Sequence, residues 1–181
     1  MLNDKALMRN LIKVSILWCC TQLCIFLKSF LIKYLPGNFF MNQTASFTAE
    51  LLTCVTCLAL GSFYEPKHLL SFFNGVLALG ALPLLFYGVG DSDEYKYVVA
   101  GSVVLIAYGV YGSLVSLYLS HSELFPVVFR TTTLGVCNTA GRLCAILAPL
   151  IAELPEPFPQ RTLLILSLLA LMVSVFVEKK T

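Results

Sequence analysis

Six apolar runs, each long enough to cross a bilayer, follow one another along this chain of 181 residues with only short polar breaks between them. A spanning helix needs about 20 predominantly apolar residues, so six take roughly 120 positions and leave little for a soluble domain. The runs fall at about 14–34, 39–64, 69–87, 97–119, 133–151 and 163–177. Pro36-Gly37-Asn38, Glu65-Pro66-Lys67-His68, the acidic stretch with Asp91, Asp93 and Glu94, and the proline-rich residues 153–161 lie in the breaks. Within the runs apolar residues do not alternate with polar ones, as they would in the strands of a membrane barrel. Only helices and closed barrels satisfy their backbone in lipid, so the runs are helices. The fold class that follows is an all-α membrane protein, one six-helix transmembrane domain over residues 1–181. No run is polar along one face, so a soluble helical bundle does not compete.

Twelve basic against ten acidic residues leave a net charge of +2, too small and too dispersed for nucleic-acid binding. The partner implied is the lipid bilayer. With the amino terminus cytoplasmic, that side collects Lys5, Arg9, Lys13, Lys67, Arg130, Lys179 and Lys180, while the other receives Lys28, Lys33, Lys96 and Arg161. The positive-inside rule therefore places both termini in the cytoplasm. The first run is too long for the apolar part of a signal peptide and lacks a small-residue cleavage site, so it is read as a retained span. The sequon Asn42-Gln43-Thr44 falls on the opposite side, close enough to the bilayer to disfavour glycosylation.

Seven cysteines (Cys19, Cys20, Cys24, Cys54, Cys57, Cys137 and Cys144) all lie inside spans, which argues against a disulfide framework or a zinc site. Cys54 and Cys57 form a C-x-x-C, but on an apolar helix without a second pair it reads as packing. His68 and His121 are the two histidines, both placed in cytoplasmic breaks, so a metal site or a histidine proton relay is not expected. There is no H-E-x-x-H, no G-x-S-x-G and no phosphate-binding glycine loop. Neither enzymatic activity nor a cofactor is expected.

Arg142 lies about ten residues from either end of the fifth span, near the bilayer centre. An arginine there costs about 2.5–3.5 kcal/mol even on insertion scales, so it should face a bundle interior or a wet cavity. Glu50, about eleven residues into the second span, reaches a similar depth; it is expected either to pair with Arg142 or to face the same cavity. Lys28, nearer a boundary, is expected to snorkel. Cys137, Gly141 and Ala145, and likewise Gly109 and Ser113, recur at intervals of four and suit close helix packing. Tyr108, Tyr111 and Tyr118 share a face of the fourth helix, either to stack on an organic substrate or as a structural aromatic stripe.

The run LYLSHSELFPVVFRTTTLGVCNTAGRLCAILAPL, residues 117–150, resembles the segment joining the tenth and eleventh helices of major facilitator transporters, especially the organic cation and anion transporter family. Glu123, Leu124, Phe125, Pro126, Arg130, Gly135, Thr139, Arg142 and Pro149 carry the match. In that frame the six spans are helices seven to twelve, the carboxy-terminal half. Glu50 falls where many members carry an acidic residue. The break between helices eight and nine departs from the family, with the basic cluster of the inner gate reduced to Lys67. The resemblance implies that Glu123, Arg130 and Lys67 belong to a cytoplasmic gate, and that Arg142, Glu50, Tyr108 and Tyr111 line the substrate site. Arginine at position 142 implies anionic or zwitterionic organic substrates.

Alternating access in this superfamily rocks two six-helix halves about a site at their interface. The resemblance thus implies a small organic substrate and, as partner, an amino-terminal six-helix half in the same or a separate chain. The competing readings are a non-transporting membrane scaffold derived from a transporter half, and a sugar-porter-like protein of the same superfamily.

Overall fold

The computed structural model describes residues 5–34, 39–87 and 95–176. Asp91, Asp93, Glu94, the Pro36-Gly37-Asn38 break and the closing Lys179-Lys180 lie outside the described residues. The chain forms α1 (Lys5–Leu31), a 3-10 turn (Ile32–Tyr34), α2 (Phe39–Gly61), α3 (Pro66–Tyr87), α4 (Lys96–Leu124), α5 (Val127–Ala145), α6 (Leu147–Ala152) and α7 (Phe158–Val175). Six of the resulting helical segments are long and apolar enough to cross a membrane, α5 and α6 together making the fifth. This is an all-α, multi-pass membrane protein.

Several helices outrun their apolar stretches. α1 starts at Lys5 rather than near position 14, and α4 continues through Ser120, His121, Ser122 and Glu123 to Leu124. A helix satisfies its backbone internally, so it can continue past the hydrocarbon edge where composition turns polar. What stops α4 is Pro126, which disfavours helical geometry in the preceding residue. Phe125 is accordingly extended, at φ −111 and ψ 135. Proline also interrupts the fifth span. Pro149 has no N–H for the Ala145 carbonyl and its ring crowds that group, and the helix breaks at Ile146.

α2, α4, α1 and α5 pack side by side as one row; α3 and α7 lie behind it, against α4 and α1. The α3–α4 contact is the closest. A Cβ added to Gly109 would stand 2.5 Å from the Leu77 backbone nitrogen, and one on Gly112 would overlap the buried Phe73 ring. Ser113 donates to Asn74 Oδ1 at 3.1 Å across the same interface. On the other flank of the row, Cys137, Gly141 and Ala145 are buried. A Cβ on Gly141 would stand 2.7 Å from the Trp18 ring of α1. Both small-residue spacings therefore mark close packing, where dispersion rather than water exclusion holds helices together.

Candidate functional site

Successive residues of a helix turn by about 100°. Tyr111 therefore lies on the side of α4 opposite Gly109 and Ser113, which face α3. That side is the front of the row. Here Lys28 of α1 donates from Nζ to Glu50 Oε1 of α2 at 2.9 Å and to Ser46 Oγ at 2.9 Å. The same ammonium stands 5.0 Å from the centre of the Tyr111 ring. Ser46 and Glu50, four residues apart, share one face of α2, and their side chains are themselves 3.4 Å apart. Lys28 is 3% exposed and Glu50 16%, so the pair has one open edge, on the Glu50 side.

This arrangement overturns the expectation for Lys28 and removes one of the two alternatives for Glu50. Lys28 does not snorkel to the boundary; it reaches inward, because a carboxylate and a hydroxyl are within range and lipid offers its ammonium nothing. Glu50 does not pair with Arg142. Its ion partner is Lys28, which a depth argument along single helices does not reveal. The available signal was Lys28 inside the first span and a lone acidic residue, Glu50, inside the second, with Ser46 one turn before Glu50.

Arg142 is exposed and, among the described residues, makes no hydrogen bond or ion pair. The flanks of α5 explain which way it looks. Thr131, Gly135, Asn138, Thr139 and Arg142 fall on one side of the buried Cys137–Gly141–Ala145 line, whereas the exposed Val136 and Leu143 fall on the other, continued by Leu147 of α6. The second flank suits lipid and the first does not. Tyr108 and Tyr118 leave Tyr111 as the one tyrosine of the three at the charge pair. Tyr108 packs on Phe73, with ring centres 5.5 Å apart, and Tyr118 stands edge-on to Trp18 at 4.8 Å.

At the end of the molecule where α4 turns into α5, Glu123 is exposed and Arg130 half-buried, one on each side of the Phe125-Pro126 corner. Lys67 lies at the start of α3, in the corner that follows α2. The alternating direction of the spans puts both corners at one end. Lys13 of α1 donates to the Phe176 carbonyl beyond α7 at this same end. His121 does not lie in a break, where the sequence places it, but inside α4. It is 2% exposed, hydrogen-bonded to Thr133 Oγ1 at 3.0 Å and packed between Trp18 and Phe125. Cys57 is buried and Cys54 exposed on α2, and all seven cysteines are free thiols. Among the described residues no group of three or more histidine, cysteine or carboxylate side chains could hold a metal ion.

The chain is 28% identical over 145 residues to solute carrier family 22 member 4 of Mus musculus, covering 78% of this chain and 26% of that protein. It is 30% identical over 115 residues to organic cation/carnitine transporter 2 of Homo sapiens, covering 64% of this chain and 20% of the relative. With organic cation/carnitine transporter 4 of Arabidopsis thaliana it shares 30% identity over 123 residues, 67% of this chain and 22% of the relative. It thus spans about a quarter of the length of these relatives. No family model matches it. The chain is homologous to organic cation/carnitine transporters, and its six apolar helices fit one half of a major facilitator transporter.

Proposed function

We propose that the chain is the carboxy-terminal half of a transporter that moves small organic ions, anionic or zwitterionic, by alternating access. The observation that carries this reading is the exposed guanidinium of Arg142 at mid-span on the polar flank of α5, with no partner among the described residues. A charge in that position is stable only facing water, a counter-charge or a cargo. The front of the row, with Tyr111, the Lys28–Glu50 pair and Arg142, then forms one wall of the substrate cavity, with Tyr108 at its margin. An amino-terminal six-helix half supplies the opposite wall.

The corner residues Glu123, Arg130 and Lys67 act as the cytoplasmic gate in this reading. Charge pairs made across the two halves in the outward-open state and broken in the inward-open state bias a two-state equilibrium by their difference in energy. The half-buried position of Arg130 supports such a role, since a partly desolvated guanidinium gains more from a counter-charge than a solvated one.

Uptake of a labelled organic anion into vesicles carrying the protein with both halves present tests the proposal. A charge-assisted hydrogen bond contributes about 1.5–3 kcal/mol. Arg142→Ala should therefore lower uptake by about tenfold or more, with membrane insertion unchanged. Undiminished uptake would remove Arg142 from the substrate site, and absence of any organic-ion flux from the wild type would remove the transport reading itself.

A further inference from the structure

The Lys28 ammonium rests in surroundings that would suit a free cation. Glu50 Oε1 and Ser46 Oγ both lie 2.9 Å from Nζ, and an aromatic face stands 5.0 Å away. A carboxylate, a hydroxyl oxygen and a π-system are the three groups that recognise an ammonium. Ser46 is fully buried and fixed on α2, whereas Glu50 and Tyr111 are only partly covered. The open edge of the pocket thus belongs to the two groups that hold a cation most strongly.

From this geometry we infer that Lys28 is a tethered cation filling a cation-binding site built by Glu50, Ser46 and Tyr111, and that it sets the charge preference of the front face. The inference rests on reading that face as the cavity wall. With Lys28 in place the Glu50 charge is cancelled and Arg142 has no partner among the described residues, so the wall is net positive and favours anions. Without Lys28, the wall carries a free carboxylate beside an aromatic ring and accepts cations. Lys28 is in this sense a specificity-determining residue. A simple strut between α1 and α2, which otherwise pack little on one another, would leave no site for an added amine.

Equilibrium dialysis of the complete protein against labelled n-butylammonium, which has the four carbons and the ammonium of a lysine side chain, separates the two. Lys28→Ala should bind n-butylammonium at least about tenfold more tightly than the wild type. The double variant Lys28→Ala/Glu50→Gln should return to the wild-type level. No gain in Lys28→Ala, or a gain that persists in the double variant, overturns the inference. Glu50→Gln supplies a second arm that does not depend on the folding of Lys28→Ala. It releases the ammonium of Lys28, so labelled benzoate should bind several-fold more tightly, and unchanged benzoate binding overturns the inference equally. Failure of the transport reading is distinguishable: n-butylammonium gained by Lys28→Ala in a protein that carries no organic ion would leave the tethered cation standing and remove the substrate cavity.

Discussion

At the residue scale the decisive feature is a lysine that breaks the usual habit of its side chain. Lys28 has the stem length to bring its ammonium toward the interface, yet it turns inward to Glu50 and Ser46. Removing one partner of a buried pair leaves an uncompensated charge, at a cost of about 3–5 kcal/mol, whereas removing both leaves none. Lys28→Met should therefore lower stability by about 3 kcal/mol, the lower end, because Glu50 keeps one open edge. Lys28→Met/Glu50→Gln should lose less than Lys28→Met does. Denaturant unfolding of the purified variants measures both, and additive losses would show that the two residues do not act as a pair. The sequence made Glu50 and Arg142 visible, because lone charges deep in apolar runs are conspicuous whatever surrounds them. It hid the partner of Glu50, since pairing depends on which faces of α1 and α2 meet over α4, and that is set by packing among several helices.

At the scale of elements the six spans were legible because apolar length is a requirement of the bilayer itself, independent of neighbours. Their ends were not legible. Apolarity reports where lipid stops, whereas the helix of α4 runs on until Pro126, carrying His121 to a buried position against Trp18 that a reading by composition assigns to a polar break. The small-residue spacing on α4 was legible for a related reason: close backbone approach tolerates no Cβ of any kind, so the residues at the contact are restricted. Gly101 and Gly109, both on α4, separate this effect from helix propensity. Nothing lies within 4 Å of a Cβ added to Gly101, whereas one on Gly109 meets Leu77 backbone atoms at 2.5 and 2.8 Å. Gly101→Ala should raise stability by about 0.5–1 kcal/mol through reduced backbone freedom. Gly109→Ala should lower it by about 1–3 kcal/mol, since backbone cannot move aside without parting α3 from α4. Thermal unfolding of the two variants checks the contrast; equal shifts would mean that the α3–α4 contact is looser than its geometry.

At the scale of the whole molecule the front of the row carries Arg142, Glu50 and Tyr111, which the described residues leave exposed or only partly covered. The two flanks of α5 differ in chemistry while lying at the same depth. Arg142 on α5 and Leu147 at the start of α6 are both exposed, five residues apart in the same span and on different sides of it. If the polar flank borders a water-filled cavity and the apolar flank borders lipid, the two positions should differ in chemical access even though no distance from the membrane surface separates them strongly. In a background with the seven native cysteines replaced, Arg142→Cys should react with a water-soluble, membrane-impermeant thiol reagent, and Leu147→Cys should not. A bound organic anion should slow the reaction at position 142, because the cargo and the reagent would compete for one space. Reaction at position 147 with none at 142 would reverse the assignment of the two flanks, and with it the side of the row on which a substrate can sit. Equal reaction at both would mean that water surrounds α5, which is incompatible with a cavity wall that separates an aqueous path from the bilayer.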